Sequence, residues 1–244
     1  MLRNVSTAVI QPNWLSTVEG DGVMKHLIDQ STSKRKVFGI LEKPDIPINY
    51  EEVSYKLFFI GRSAADKSKV ISELAGQPVT HQDSHGIHKT NVYWPTKIWD
   101  KIILFRLLFW EAGENGLKKF SHILPACLDK SDALVFVFSF EDGNSLFEIS
   151  QNIVKLKTKE SNQPAIIVIG TKYSSTKNIP ISFSDIKEFE SKWHLNIMKI
   201  PPVSTNMSDI MRVSPVLNSI CELLWLRDQE YILKQSFDKF ALKE

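Results

Sequence analysis

The sequence predicts a three-layer α/β domain with a mostly parallel sheet of six strands, flanked by helices and preceded by an N-terminal extension. From about residue 55, apolar runs of strand length alternate with helix-like segments. The runs 133–140 (ALVFVFSF) and 165–170 (AIIVIG) are apolar almost throughout, which is typical of parallel strands covered by helices on both faces. Alternating strands and helices build a sheet with helical crossovers on its two sides.

The predicted elements follow one another in a regular order. Apolar runs predict strands at 55–60, 91–95, 101–110, 133–140, 165–170 and 196–203. Helices are predicted at 67–74, 116–128, 144–157, 182–193 and 214–233. A polar loop, HQDSHGIHKT at 81–90, separates the first of these helices from the second strand. No internal repeat interrupts this order.

The chain is long enough for one large domain or for a domain of about 180 residues with an extension. Residues 1–50 contain short apolar patches separated by polar turns, and Pro44 and Pro47 mark the join to the regular pattern. We therefore expect a folded extension packed on the core. The predicted division is an extension at 1–50, a main domain at 51–235 and a tail at 236–244.

Composition excludes several classes of function. The 30 basic and 28 acidic side chains among 244 residues are spread through the chain and give a net charge of +2. This distribution lacks the basic footprint of a protein that binds nucleic acid or an anionic membrane. The basic run Lys34–Lys36 is too short for polybasic binding. Cys127 and Cys221 lie far apart without metal-ligand spacing, which predicts a reduced, intracellular protein.

Nothing in the sequence predicts membrane insertion. The longest apolar run, IILFRLLFW at 102–110, is interrupted by Arg106 and is about half the length needed to cross a bilayer. The first residues lack the regions of a signal peptide, and neither end carries a lipidation motif. We expect a cytoplasmic protein with no transmembrane segment and no lipid anchor.

The octet GRSAADKS at 61–68 follows a strand and precedes a helix, as the phosphate-binding pattern GxxxxGK[ST] requires. In that pattern backbone N–H groups surround the phosphates, the lysine reaches them and the hydroxyl holds magnesium. Gly61, Lys67 and Ser68 match, and Asp66 stands where the second glycine belongs. An accidental match remains an alternative, although chance would not also supply the flanking strand and helix.

Asp66 weakens this site in two ways. Its Cβ opposes a backbone conformation that is usually left to glycine. Its carboxylate is also expected to face the phosphates, and at 4 Å with an effective dielectric of 20 the repulsion is about 4 kcal/mol. Two other orientations stay open: the carboxylate turned away from the phosphates, or bound to magnesium itself.

A second group of residues matches the base-binding pattern N/TKxD. Thr171 and Lys172 follow the strand 165–170, and Ser174 stands where an aspartate would accept two N–H bonds from guanine. Each lost charge-assisted bond is worth about 1.5 to 3 kcal/mol, so guanine selectivity should be poor. Ser204 lies in the candidate for the last base-contacting loop. The alternative is an ordinary strand-to-helix loop with an exposed lysine.

Residues 110–114 (WEAGE) resemble the WDxxG element of nucleotide switches. Gly113 is the candidate for sensing the terminal phosphate, and Glu111 for contacting magnesium through water, but the spacing from Glu111 to Gly113 is one residue shorter than in WDxxG. Glu114 stands where a glutamine usually orients the attacking water, so hydrolysis has lost its usual residue.

The first-switch threonine has no clear counterpart. His85 occupies its expected place, with Ser84 beside it as a possible substitute. His81, His85 and His88 also permit a zinc reading, but no cysteine or second ligand cluster accompanies them, which favours an ordinary surface loop.

No other catalytic set competes with the phosphate loop. The sequence contains no GxSxG elbow, no HExxH helix and no cysteine with a plausible base. An ATP-using enzyme with the same loop would need a catalytic acid or base that the sequence does not identify.

Trp14, Tyr93 and Trp94 have two possible roles. Large aromatic side chains anchor many protein interfaces. At strand and extension positions they more often belong to the core, which is our expectation here.

Several segments together carry a family resemblance over nearly the whole chain. They are PNW at 12–14, KRKVFGILEKP at 34–44, SYKLFFIG at 54–61, HGI and YWP within 85–95, FWEAGENGLKKF at 109–120, ALVFVFSFED at 133–142 and VIGTK at 168–172. With these segments the chain resembles the Rem/Rab-like small GTPases of the ciliogenesis and planar polarity effector complex. FGILEKP and LKKF are far more specific than a phosphate loop alone.

The resemblance implies the P-loop small-GTPase fold, GTP or GDP with Mg²⁺ as cofactor, and Ser68 as a weak magnesium ligand. It also implies the Inturned, Fuzzy and WD-repeat effector subunits as partners at the basal body, in cilium assembly and membrane trafficking. Asp66, His85 and Ser174 depart from the family pattern. They predict a degenerate GTPase that serves as a binding module; the alternative is an active GTP-binding switch.

Overall fold

The computed structural model describes residues 9–28, 43–62, 66–77, 86–113, 119, 122–156, 163–173, 180–202 and 209–241. The strands are β1 (Glu51–Ile60), β2 (Ile87–Ile98), β3 (Lys101–Ala112), β4 (Ala133–Ser139), β5 (Ala165–Thr171) and β6 (Ile197–Lys199). The helices are α1 (Val18–Ile28), α2 (Lys67–Leu74), α3 (Ile123–Leu128), α4 (Ser145–Leu156), α5 (Phe183–Trp193) and α6 (Asp209–Ala241). A 3-10 turn, Trp14–Ser16, precedes α1.

The six strands form one sheet in the order β2-β3-β1-β4-β5-β6. Only β2 and β3 are antiparallel, and all other neighbours are parallel. β1 lies in the middle and pairs with β3 on one side and β4 on the other. The predicted fold class is confirmed, and the carboxyl ends of the parallel strands meet at one edge of the sheet.

The central strands are apolar because both faces of the sheet are covered. All seven side chains of β4 are buried. One face packs against α2 and α6, where Leu74 and Leu217 are fully buried. The other face packs against α3, α4 and α5, where Cys127 and Ile149 belong to a second core cluster. Helices on both faces therefore give the three predicted layers.

Helix α2 has the predicted bounds. Val70, Ile71 and Leu74 form its buried face, as helical spacing requires. The helix ends where Gly76 adopts a φ of 63°, a conformation that glycine takes without a steric penalty. The N–H of Gln77 donates to the carbonyl of Ser72 at 2.8 Å and closes the last turn.

The last helix is longer than predicted at both ends, since α6 runs from Asp209 to Ala241 instead of 214–233. Pro215 lies inside it and has no N–H for the carbonyl of Met211. The Ser214 hydroxyl donates to that carbonyl at 3.3 Å instead. The side chain thus supplies a bond that the proline cannot make.

The N-terminal segment packs on the sheet and on α6. Ile10 forms an antiparallel bridge with Ile98 at the edge strand β2. The N–H of Val9 donates to the Glu222 carboxylate at 2.7 Å. The predicted division into 1–50, 51–235 and 236–244 stays a prediction, and α6 runs without a break past residue 235.

Trp14, Tyr93 and Trp94 are all buried, which confirms their expected place in the core. The indole N–H of Trp94 donates to the Asn218 side chain at 2.7 Å, and that of Trp14 donates to Glu19 at 2.8 Å. Each of these two buried indoles therefore has a partner for its polar atom. In the described part of the chain, every helix is too short or too polar to cross a membrane.

Candidate nucleotide-binding site

The predicted phosphate and base residues meet at the carboxyl edge of the sheet. Gly61 follows β1, Gly113 follows β3 and Lys172 follows β5. Ligands of open α/β sheets bind in crevices at this edge. A cavity of about 260 Å³ opens here between α2, the end of β5, the segment after β6 and the start of α6.

A glycine is required at position 61 because the structure leaves no space for a side chain. A Cβ at this position would lie 2.4 Å from the carbonyl oxygen of Val137 in β4. Such a distance is far below van der Waals contact, so only glycine allows β1 and β4 to continue side by side into the loop.

Asp66 adopts the backbone conformation that the sequence pattern reserves for glycine. Its φ of 55° and ψ of 42° lie in the left-handed region, immediately before α2. Aspartate enters this region more readily than most residues with a side chain. The loop therefore keeps this feature of its backbone course although the glycine is missing.

The Asp66 carboxylate is turned toward the base-binding loop. Its Oδ2 lies 3.5 Å from the Nζ of Lys172, and each side chain is about one third exposed. The carboxylate is thus paired with a cation of the protein, an arrangement that the sequence did not suggest. Solvent screens a pair with this exposure, and such pairs contribute about 1 kcal/mol or less.

Lys67 is buried at the base of the loop, with 7% of its surface exposed. Its Nζ donates to the carbonyl oxygen of Gly61 at 2.5 Å, so the ammonium lies against the first residue of the octet. A buried lysine needs such acceptors.

Ser68 and Glu111 are in direct contact. The Ser68 hydroxyl donates to Oε2 of Glu111 at 2.9 Å. The parallel register of β1 and β3 pairs Glu111 with Phe59, two residues before Gly61, and this register brings the carboxylate to the loop. A hydroxyl and a carboxylate are the hard oxygen donors that Mg²⁺ prefers, so this part of the site fits the implied ion.

Several predicted residues fall outside the described part of the chain. They are Ser84, His85, Glu114, Ser174 and Ser204, and their roles stay predictions. His81 lies outside it as well, while His88 is described in β2. Among the described residues, no three histidine, cysteine, aspartate or glutamate side chains are grouped to hold a metal.

Sequence reasoning missed the cavity wall opposite the loop. Arg212 at the start of α6 lines the cavity, and its guanidinium donates to Glu73 of α2 at 2.8 Å and to the Pro201 carbonyl at 3.0 Å. Tyr173 lines it as well, and the Nζ of Lys199 lies 4.2 Å from the centre of the tyrosine ring. No motif marks Arg212 or Lys199, because the chain folds them together with Tyr173 from separate segments.

Arg62 links the phosphate loop to α4 and to the segment that follows β4. Its guanidinium forms ion pairs with Glu148 of α4 and with Asp142, which follows β4. These three side chains border a second cavity of about 190 Å³ that reaches Lys67. The described part of the phosphate loop is thus held by charged contacts on both sides.

Comparison with known proteins agrees with this geometry. The Ras family profile matches residues 56–212, well over half of the chain. Relatives named Ciliogenesis and planar polarity effector 2 are 34% identical over 239 residues in Xenopus laevis (91% of this chain, 95% of the relative) and 31% identical over 243 residues in Homo sapiens (92% of each). The Mus musculus relative is 33% identical over 238 residues, or 91% of each chain. The chain therefore belongs to the Ras family and, within it, to the family of ciliogenesis and planar polarity effector 2 proteins.

Proposed function

We propose that this chain is a degenerate small GTPase that acts as an adaptor subunit of a ciliogenesis and planar cell polarity effector complex. The observation that supports degeneracy is the ion pair between Asp66 and Lys172. Asp66 stands where the phosphate-loop pattern has a glycine, and Lys172 stands where the base-binding pattern has its lysine. Ras-family domains bind guanine nucleotides in general, and this chain keeps their fold. Its sheet and loops then serve mainly as a surface for protein partners.

The ion pair opposes nucleotide binding for two reasons. The Asp66 carboxylate adds a negative charge next to the place where phosphates would lie. The pair also engages the ammonium of the lysine that would lie along a base. A nucleotide would therefore have to bind beside this contact and accept the carboxylate as a neighbour, which lowers its affinity.

The relatives support a cellular role, since their name assigns them to ciliogenesis and planar polarity. We propose a cytoplasmic protein at the cilium base that works with Inturned, Fuzzy and WD-repeat effector subunits. It supports cilium assembly, recruitment of transport machinery to the basal body and vesicle trafficking. The match over about nine tenths of both chains favours a shared role for the whole protein.

Thermal shift with Mg-GTP tests the degeneracy. The natural chain should show little stabilisation, while Asp66→Gly with Ser174→Asp should restore binding. At a GTP concentration of 100 times Kd, binding stabilises the folded state by about 2.7 kcal/mol. Adding Lys67→Ala to the double variant should remove this gain. A large shift of the natural chain at micromolar GTP, abolished by Lys67→Ala, would contradict the proposal.

The second candidate is an active GTP-binding switch in the same pathway. It is favoured by the left-handed Asp66 backbone and by the contact between Ser68 and Glu111, both of which suit a working loop. Mass spectrometry of nucleotide released from the native protein separates the two candidates. Stoichiometric GTP or GDP supports the switch, and substoichiometric or absent nucleotide supports the degenerate adaptor.

A further inference from the structure

From near its middle onward, α6 exposes a row of apolar side chains. Leu223, Leu226 and Leu233 are 38%, 40% and 57% exposed. Steps of three and seven residues place them on one face of the helix, and Glu230 lies on the same face between them. We call Leu223, Leu226, Glu230 and Leu233 the α6 seam.

The seam has the spacing of a helix that packs against another helix. Its steps of three, four and three residues match the alternating apolar positions of a heptad. In the sequence the same spacing continues with Phe237 and Phe240. Only Glu230 interrupts the apolar pattern, as single polar residues do where they select a partner.

The described side chains toward the end of α6 have little packing of their own. The helix has 33 residues, which corresponds to a length of about 50 Å. The side chains from 232 to 236 are all exposed. Helices in proteins gain most of their stability by packing an apolar face against a neighbour. The exposed residues 232–236 are therefore available to pack against another molecule.

The seam lies at the opposite end of the sheet from the nucleotide site. The Tyr55 hydroxyl, in the first half of β1, donates to Asp228 at 2.8 Å, and Arg227 pairs with Asp132, which immediately precedes β4. These contacts hold the second half of α6 at the amino ends of the strands. Arg212, in the first half, lines the cavity at the carboxyl ends. Binding at the seam is thus geometrically separate from the phosphate loop.

The negative charge of Glu230 restricts which kind of molecule can bind the seam. If two copies of the chain paired in parallel register, their Glu230 carboxylates would face each other. Full antiparallel overlap from 223 to 240 would place each Glu230 against Leu233 of the other copy. Neither arrangement places a cation at a seam position, since Lys234, the nearest lysine, lies beside the seam, and a lipid surface would also have to accept the carboxylate within the apolar row.

We propose that the α6 seam binds an amphipathic helix of another protein, with apolar residues along its own seam and a lysine or arginine opposite Glu230. Apolar contact supplies the binding area, and the charge pair selects partner and register. This inference goes beyond the proposed function and does not depend on the nucleotide state.

Site-specific photo-crosslinking tests it. Benzoylphenylalanine replaces Leu233 in the full-length chain, expressed in cells that contain the natural protein. The matched control carries the same probe at Phe147 of α4, which is 66% exposed. We expect a crosslinked peptide from another protein with heptad spacing and a basic residue facing Glu230.

Charge exchange completes the test. Glu230→Lys should weaken the complex with that peptide about tenfold, and a basic-to-glutamate change in the peptide should restore it. The melting temperature of Glu230→Lys should match that of the natural chain, because residue 230 is exposed. Asp66→Gly with Ser174→Asp should leave the crosslink unchanged, which separates this test from that of the proposed function.

Three results would overturn the inference. The first is a crosslink to the same chain or to lipid, and the second is a yield no higher than that of the Phe147 control. The third is a complex that Glu230→Lys does not weaken.

Discussion

At the scale of single residues, the two glycine positions of the phosphate-loop pattern differ in what they require. At Gly61 the obstacle is an atom, since a Cβ would collide with the carbonyl of Val137. At Asp66 the requirement is a left-handed backbone, which aspartate adopts at moderate cost. The second position can therefore accept a side chain without loss of the fold, while the first cannot.

Gly61→Ala should destabilise the protein by about 1 to 3 kcal/mol, the usual range for overpacking a well-packed core. The added methyl group would have to push β1 and β4 apart at the loop. Urea unfolding measures the change in the free energy of unfolding.

Gly22→Ala is the matched control for this substitution. A Cβ at Gly22 meets nothing within 4 Å, and the residue lies in α1. Alanine is favoured over glycine in helices by about 1 kcal/mol, so this variant should be slightly more stable. Equal effects of the two substitutions would contradict the steric explanation of Gly61.

At the scale of elements, α2 and α6 are joined by a buried ion pair. The Arg212 side chain is 6% exposed and that of Glu73 is 19% exposed, and their atoms approach to 2.8 Å. This contact holds the start of α6 beside the helix that carries Lys67 and Ser68. It therefore positions one wall of the cavity against the other.

Glu73→Ala should lower the free energy of unfolding by about 3 kcal/mol, because it leaves the Arg212 cation buried without its carboxylate. Lys101→Ala is the control, since Lys101 and Glu51 form an ion pair with both side chains more than half exposed. The control should cost about 1 kcal/mol or less. Chemical denaturation of both variants measures the difference, and equal losses would refute a special role for Glu73.

At the scale of the whole molecule, a hydrogen bond links the central strand to the last helix. Tyr55 of β1 is buried, and its hydroxyl donates to Asp228 of α6. Burial, together with the hydrogen bond to the Asp228 carboxylate, raises the pKa of Tyr55 far above its usual value. The contact between the sheet and α6 therefore depends on whether the Tyr55 hydroxyl keeps its proton.

The stability of the fold should fall above pH 10. The unfolded chain releases the tyrosine proton near pH 10, whereas the folded chain retains it, so the folded state binds more protons in this range. Its stability therefore decreases as the pH rises. Tyr55→Phe should cost about 1 kcal/mol at pH 7 and should flatten this decrease above pH 10. Urea unfolding between pH 7 and 11 checks this, and equal slopes for both proteins would show that Tyr55 does not cause the decrease.

Much of the architecture could be predicted from local patterns. The apolar runs that became β4 and β5 and the bounds of α2 follow from residues that are neighbours in the sequence. The ends of α6 could not be predicted in this way. Pro215 suggests a helix start, and the compensating bond from Ser214 becomes visible only in the folded helix.

The sequence by itself predicted the order of strands and helices and the phosphate-loop octet, because periodicity and motif spacing are local properties, and its resemblance over nearly the whole chain indicated the family. Only the tertiary structure decided that Asp66 pairs with Lys172, that Arg212 closes the cavity, and that the α6 seam stays exposed. Those outcomes depend on contacts between segments that are distant along the chain. Such contacts are set by how the layers pack, which no local pattern specifies.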